Sequence, residues 1–427
     1  MIELNELIKI QPIMNIGCMG SVSDGKSTLV EKLTGTKTQR HSSEKIRNIT
    51  KNQGYANMKI WSDTNEDGTK SYYTTDSTPS EYKNECGENC LIENHISFVD
   101  CPGHQELIKV MLSSIALMDG VIIVVAVNDK APFEKPQLIQ HLAAIKLGEI
   151  KKIIICLNKI DLVSINLLNE RKNELDEMLK EYDIHPYAII PTCFNKRIGM
   201  KYVISAITEL FDPTNFMERN NTSPFFRISR SFDINKPGTD WTEINGGVIG
   251  GSLMLGKICT GDEIEIRPGI LIGKIGKILC KPIKTKVLSL KTDSTELNEI
   301  FPGGLIGIGT DIDPIYSKAN YLTGHIAGHV GTLPNVYLEV AVKINKVTFG
   351  YDYNLKVKDN VSIQIGTHMV DASVKSIDTL IIFQFISPVC IPDNQSIIIC
   401  KTIDGILKII GKSCVKYKYN SNYINIE

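Results

Sequence analysis

No apolar run in the chain approaches the ~20 residues that a membrane-spanning helix requires, so no span is expected. The opening stretch, MIELNELIKIQPIMN, mixes Glu3, Glu6 and Lys9 into its apolar residues and lacks the uninterrupted hydrophobic region of a secretory signal. Without that signal the eleven cysteines are expected as reduced thiols in the cytosol, not as a disulfide framework. Several stand inside apolar strand-like runs, Cys156 and Cys400 among them, where a thiol serves as a small hydrophobe. Charge of one sign is missing too. A formal net charge of −1 gives no electrostatic footprint across the whole molecule, so any contact with RNA has to be local or helped by other subunits. No repeat of 20 to 50 residues and no low-complexity segment stands out.

What is present is length and ordinary globular composition. The 427 residues, 42% hydrophobic and 22% charged, are too many for one core and suggest about three domains. The chain is organised around IGCMGSVSDGKSTLVEKL, residues 16–33, which matches G-x-x-x-x-G-K-[ST] at Gly20, Gly25, Lys26 and Ser27. An apolar strand precedes the motif, and Leu29, Val30 and Leu33 follow at helical spacing, so it falls at a strand-to-helix junction. Glycines there let successive N–H groups turn inward around an anion, and the helix beginning at Lys26 adds its partly positive end. Lys26 then reaches the β- and γ-phosphates, and Ser27 offers a hydroxyl to the magnesium ion bridging them. Ser23, Asp24 and Thr28 complete the candidate nucleotide-binding stretch.

Two more strand ends carry chemistry. FVDCPGH supplies Asp100 and Gly103 as D-x-x-G: the carboxylate suits magnesium held through water, and the glycine N–H suits the γ-phosphate. NKID supplies Asn158, Lys159 and Asp161. An aspartate there accepts from both N1–H and the exocyclic amine of guanine, a donor pair that adenine lacks, and so selects GTP over ATP. In the order P-loop, D-x-x-G, N-K-x-D, these motifs make a GTPase the best reading.

Residues 12 to about 211 alternate apolar strands with helical patterns, as in a mostly parallel sheet wrapped by helices. The polar tract from 62 to 94 reads as a long, partly disordered surface excursion. Its Cys86 and Cys90 are two ligands where a structural zinc site takes four, so simple thiols are expected in place of zinc. FDPTNFMERNNTSP reads as a linker, and beyond it short glycine-punctuated strands replace helices. The expected architecture is an α/β P-loop GTPase domain at 1–211, a β-barrel at 224–331 and a second all-β barrel at 332–427.

Specific strings narrow this further. RNITKNQGYANMKI, HISFVDCPGH, QHLAAIKLGEIKKIIICLNKIDLV, RSFDINKPG, GGVIGGSLMLGKICTGDEIEIRPG and FPGGLIGIGTDIDP resemble the gamma subunits of translation initiation factor 2, which are translational GTPases. The likeness runs from about residue 12 to 340 and more loosely beyond. It implies GTP or GDP with Mg2+ as ligands and, as partners, methionyl initiator tRNA, alpha and beta subunits, the small ribosomal subunit, and activating and exchange factors, in the cytoplasm. It implies that Thr50 completes the magnesium shell, that His104 positions attacking water beside an apolar gate of Val22 and Ile49, and that Thr192 and Cys193 form the loop whose backbone N–H meets the guanine oxygen. For tRNA it points to Asn48 and Tyr55; Tyr55 suits either stacking on a terminal base or sugar, or packing with one satisfied hydroxyl. The lysine-rich 274–286 string fits a solvated hairpin face better than a phosphate-facing patch.

The chain departs from that family at Ser21 and Asp24, where the family usually has histidines, and at a TCF guanine loop. A carboxylate beside a triphosphate is repulsive unless it points to solvent or to magnesium-bound water, so Asp24 is expected to weaken GTP or alter its hydrolysis. With no arginine finger evident, hydrolysis is expected to be slow unaided. The alternatives are an elongation-type aminoacyl-tRNA carrier and a nucleotide-binding scaffold that does not switch.

Overall fold

Strands buried on both faces are apolar without interruption, and such runs become the centre of a parallel sheet. A computed structural model describes residues 4–37, 54–101, 108–213, 219–274, 277–293, 295–343, 353–419 and 423–425, in two units, Met1–Met217 and Glu218–Glu427. In the first unit the strands are β1 (Met14–Met19), β2 (Gly54–Thr64), β3 (Lys70–Thr75), β4 (Leu91–Asp100), β5 (Gly120–Ala126), β6 (Ile153–Asn158) and β7 (Ala188–Pro191). They lie in the order β3-β2-β4-β1-β5-β6-β7. β4, β1, β5, β6 and β7 run parallel, and β2 and β3 are added antiparallel at one edge. The helices are α1 (Leu4–Ile10), α2 (Lys26–Thr34), α3 (Ile108–Ile115), α4 (Pro136–Leu147), α5 (Ile165–Glu181) and α6 (Met200–Leu210). Because β1 has β4 on one side and β5 on the other, its carboxyl end opens where the strand order reverses, which is where such sheets bind ligands.

The 62–94 tract corrects the expectation of a loose excursion. It is built as the β2–β3 hairpin and the long start of β4, with Lys59–Thr64 paired against Thr75–Lys70. A few side chains hold it. Trp61 is buried, stacks on Tyr82 at 6.0 Å and donates its indole N–H to Thr75 Oγ1 at 2.9 Å. Lys59, also buried, donates to the Pro79 carbonyl at 2.7 Å. In the turn that carries the cysteines, Asn84 Oδ1 accepts from the Cys86 and Glu88 N–H groups, leaving Cys86 exposed and Cys90 half-buried.

The second unit contains two closed barrels. The first is formed by β8 (Phe225–Phe232), β9 (Val248–Leu255), β10 (Glu263–Lys274), β11 (Lys277–Thr292), β12 (Gly303–Thr310) and β13 (Ile326–His329), closed by pairing of β10 with β11. The second is formed by β14 (Val336–Val342), β15 (Asn360–Ile365), β16 (His368–Ile377), β17 (Ile381–Cys390), β18 (Ser396–Ile403) and β19 (Ile406–Tyr419). Alternation fills each interior: Phe226, Ile228, Ile249, Ile264 and Ile308 in one, Val340, Ile363, Phe383 and Ile399 in the other. Between them, Arg267 Nη1 donates to the Leu333 and Pro334 carbonyls at 3.0 and 3.2 Å, and Thr367 Oγ1 donates to the Ile228 carbonyl at 3.2 Å. On β11, Lys281, Lys284 and Lys286 are exposed while Ile283, Thr285 and Val287 point inward.

Two buried histidines make the first unit acid-sensitive. Burial and the nearby Lys59 push His95 down to about 3, with its Nδ1–H donated to the Ile8 carbonyl at 2.9 Å. Burial and Lys26 push His141 down to about 3. Unfolded histidine titrates near 6.5, so below that pH protons go to the unfolded chain first. Stability present above pH 6.5 is therefore lost as pH falls toward about 3, by roughly 1.4 kcal/mol per group per pH unit. Thermal unfolding midpoints between pH 7 and 5 are expected to fall steeply in the natural chain and less steeply in His95→Gln/His141→Gln. Equal slopes would refute the assignment.

Candidate nucleotide-binding site

The phosphate loop leaves β1 at Gly20 and enters α2 at Lys26. Gly20 and Gly25 have φ of +143° and +109°, and a Cβ would meet the Val124 carbonyl oxygen at 2.2 Å or Asn158 Nδ2 at 2.4 Å. Both conformation and space therefore require glycine. Gly25 is the N-cap of α2 and makes no side-chain cap hydrogen bond to the helix's first turn. Ser23 is exposed with φ of +64°, while Val22 and Thr28 are half-buried. Lys26 is 7% exposed and donates to the Ser21 carbonyl at 2.7 Å. Burial pulls its ammonium below the usual lysine range, opposed by Asp100 and Asp24.

Ser27 Oγ donates to Asp100 Oδ2 at 2.7 Å, so the hydroxyl and the carboxylate assigned to magnesium are adjacent. Two hard oxygen donors beside a phosphate cradle fit Mg2+, which keeps waters and phosphate oxygens in its shell. Among the described residues no group of three or more His, Cys, Asp or Glu is placed to hold a metal by itself.

Asp24 does not point to solvent: at 1% exposure its Oδ2 accepts the Ser21 N–H at 2.7 Å and its Oδ1 lies 3.1 Å from Lys135 Nζ. Lys135 also pairs with Asp129. Arg171 donates to the Asp129 and Lys130 carbonyls at 3.2 and 2.7 Å, fixing the segment that carries this second carboxylate.

At the base end, Asn158 joins two loops. Its Nδ2 donates to the Asp24 carbonyl at 2.8 Å and its Oδ1 accepts the Phe194 N–H at 3.2 Å. Lys159 takes φ of +65° to turn the chain into Asp161. Hydrogen bonds from the Cys193 thiol and then from Lys196, whose Nζ lies 3.0 Å from Oδ2, hold the Asp161 carboxyl below its usual range. The Thr192 N–H goes to the Leu157 carbonyl at 2.7 Å and the Cys193 N–H to the Ile198 carbonyl at 3.1 Å. A guanine oxygen at the Cys193 N–H would compete with the Ile198 carbonyl.

Asn48, Ile49, Thr50, Gly103 and His104 lie outside the described residues. Tyr55 is half-buried on β2 opposite Val99. Lys135 and Lys196 are the site neighbours that motif reading misses, because neither belongs to a motif; only an unexplained acid in the phosphate loop hints that a cation is needed.

A P-loop and an N-K-x-D loop meeting at one sheet edge define a guanine-nucleotide-binding domain. Residues 11–213 match the model of the elongation factor Tu GTP binding domain, which makes the chain a translational GTPase. It is 35% identical over 420 residues to the eukaryotic translation initiation factor 2 subunit gamma of Encephalitozoon cuniculi, covering 96% of this chain and 94% of that one. It is 41% identical over 358 residues to the translation initiation factor 2 subunit gamma of Thermoplasma acidophilum, covering 83% and 84%. The chain belongs to the gamma subunits of translation initiation factor 2. The crystal structure of a bacterial selenocysteine-specific elongation factor is similar with a TM-score of 0.71 at 19% identity, over 96% of this chain and 59% of that one, a likeness of fold alone.

Asn158→Ala removes both ties between the phosphate loop and the guanine loop and leaves a buried carbonyl and N–H without that partner. The expected cost is about 2 kcal/mol of stability and roughly tenfold or more in nucleotide affinity. Titration with a fluorescent GDP analogue measures it; affinity equal to the natural chain's would show that the amide ties nothing.

Proposed function

We propose that this translation initiation factor GTPase subunit carries methionyl initiator tRNA to the small ribosomal subunit, in the cytoplasm, together with alpha and beta subunits, and lets go after GTP hydrolysis. The observation that carries this reading is 35% identity to a gamma subunit over 96% of the chain. The P-loop, Asp100 and Asn158 at the carboxyl ends of β1, β4 and β6 support it, because they gather phosphate, metal and base chemistry at one edge of the sheet. Among the described residues no helix is long and apolar enough to cross a membrane.

On this reading the reaction is in-line attack of water on the γ-phosphate, giving GDP and phosphate. Little covalent work falls to the protein, so positioning and charge dominate. The helix end at Lys26 and the Lys26 ammonium, released from the Ser21 carbonyl, take the phosphate charge. Ser27 and Asp100 would hold Mg2+, which supplies charge neutralisation to the phosphate oxygens when bound. His104 would orient the water, and Thr50 and Gly103 would sense the γ-phosphate. Asp161, held in its ionised form, would accept from guanine N1–H and the amine. Hydrolysis is slow until an activating partner acts.

The test is tRNA affinity of the full chain with a non-hydrolysable GTP analogue against GDP, for initiator and elongator methionyl-tRNA. Initiator tRNA is expected to bind at least about fivefold more tightly with the GTP analogue, within the usual range of coupling between sites. Equal affinity in the two nucleotide states would favour a scaffold that does not switch. Equal affinity for the two tRNAs would favour an elongation-type carrier.

A further inference from the structure

We propose that Lys135 is a positioning residue of the nucleotide site: its ammonium cancels the buried Asp24 carboxylate, so that the phosphate loop receives a triphosphate without an uncompensated negative charge behind it. The inference rests on the reading of residues 20–28 as the phosphate cradle.

Asp24 is the one acidic residue between Gly20 and Lys26, and its side chain is 2% exposed. A carboxylate so buried needs both hydrogen bonds and a counter-charge. It has a local use, since Oδ2 takes the Ser21 N–H and bends the loop onto itself. That use does not remove its charge. Two ammonium groups are near enough to do so. Lys26 is committed elsewhere once nucleotide binds, because its charge belongs to the phosphates. Lys135 then remains, 3.1 Å from Oδ1.

The geometry gives Lys135 this position from outside the loop. It precedes Pro136, which opens α4 at the first helical position, so the backbone there is preset. Its second partner, Asp129, lies in a segment anchored by Arg171. The two carboxylates do not compete equally. The Asp129 side chain is 37% exposed and is answered by solvent, whereas that of Asp24 has almost no solvent to answer it. Lys135 makes its closer contact with Asp129, yet loss of its charge falls hardest on Asp24, which has almost no solvent to replace it. The pair also tells how an acid is tolerated in this loop: the compensating charge lies 111 residues away in sequence and 3.1 Å away in space.

The experiment compares the full chain with Lys135→Met, Lys135→Arg, Asp24→Asn and Asp24→Asn/Lys135→Met, with affinities for GDP and a non-hydrolysable GTP analogue measured in magnesium. Circular dichroism and thermal unfolding without nucleotide score folding separately. Lys135→Met is expected to lose roughly tenfold or more in affinity for the GTP analogue and less for GDP, which carries less charge. Lys135→Arg is expected to bind nearly as the natural chain does, and the double variant to return close to Asp24→Asn. Should Lys135→Met fail to fold, recovery of folding and binding in the double variant supports the charge pairing. Unchanged binding by Lys135→Met overturns it. So does an equal loss for both nucleotides with no recovery in the double variant, or a double variant that does not fold. If the natural chain binds neither nucleotide, the cradle reading itself fails, a result distinct from any of these.

Discussion

A ring of backbone N–H groups that must stay open around a highly charged ligand cannot be shaped by that ligand alone. The loop from Gly20 to Lys26 is held by internal bonds made before anything occupies it. Asp24 folds back on the Ser21 N–H, Lys26 reaches the Ser21 carbonyl, and Asn158 holds the Asp24 carbonyl from the end of β6. The Asp24 and Asn158 bonds fix peptide planes without using a group the phosphates need, so much of the cost of ordering the loop is met in folding and not in binding. The glycines have no substitute because the Asn158 amide at Gly25 and the Val124 carbonyl at Gly20 occupy the space a side chain would need.

What was legible in the sequence follows from how locally each feature is encoded. The β1, β5 and β6 runs were readable because a strand buried on both faces has no polar side to mask it. The phosphate loop was readable because its spacing is dictated by one turn of backbone and the start of one helix. The 62–94 tract was not, since its order comes from partners: Trp61 needs Tyr82 and Thr75, and Lys59 needs Pro79. A polar edge strand such as β3 gains from its one neighbour, β2, and from the side chains packed on it what its composition lacks. Asp24 reads as a hazard for the same reason, since its partner Lys135 lies 111 residues away in sequence.

The barrels show the opposite balance. Alternation of inward and outward residues is visible strand by strand, as in Ile283, Thr285 and Val287 against Lys284 and Lys286. Closure is not visible that way, because it depends on β13 meeting β8 and β10, strands far from it in sequence. The joint between the barrels is likewise built from single residues with no motif. Arg267 spans to Leu333 and Pro334, and Cys280, Ile326, Leu333, Val336 and Cys390 form a small apolar cluster there.

The base end follows a similar economy of charge. Asp161 selects guanine only if it is ionised, because a protonated carboxyl would offer a donor where guanine also offers donors. The Cys193 thiol and the Lys196 ammonium favour the ionised form, so the acceptor is present before the base arrives. Lys196 is exposed on a flexible stem and can swing aside at little cost, whereas Cys193 is buried and stays. On the proposed reading Asp161 of the NKID loop would meet guanine as a carboxylate already ionised, and the Cys193 thiol of the altered loop helps to keep it so. The Cys193 N–H is bonded to the Ile198 carbonyl, so a guanine oxygen would have to compete for it, and on the proposed reading discrimination against adenine would rest on Asp161.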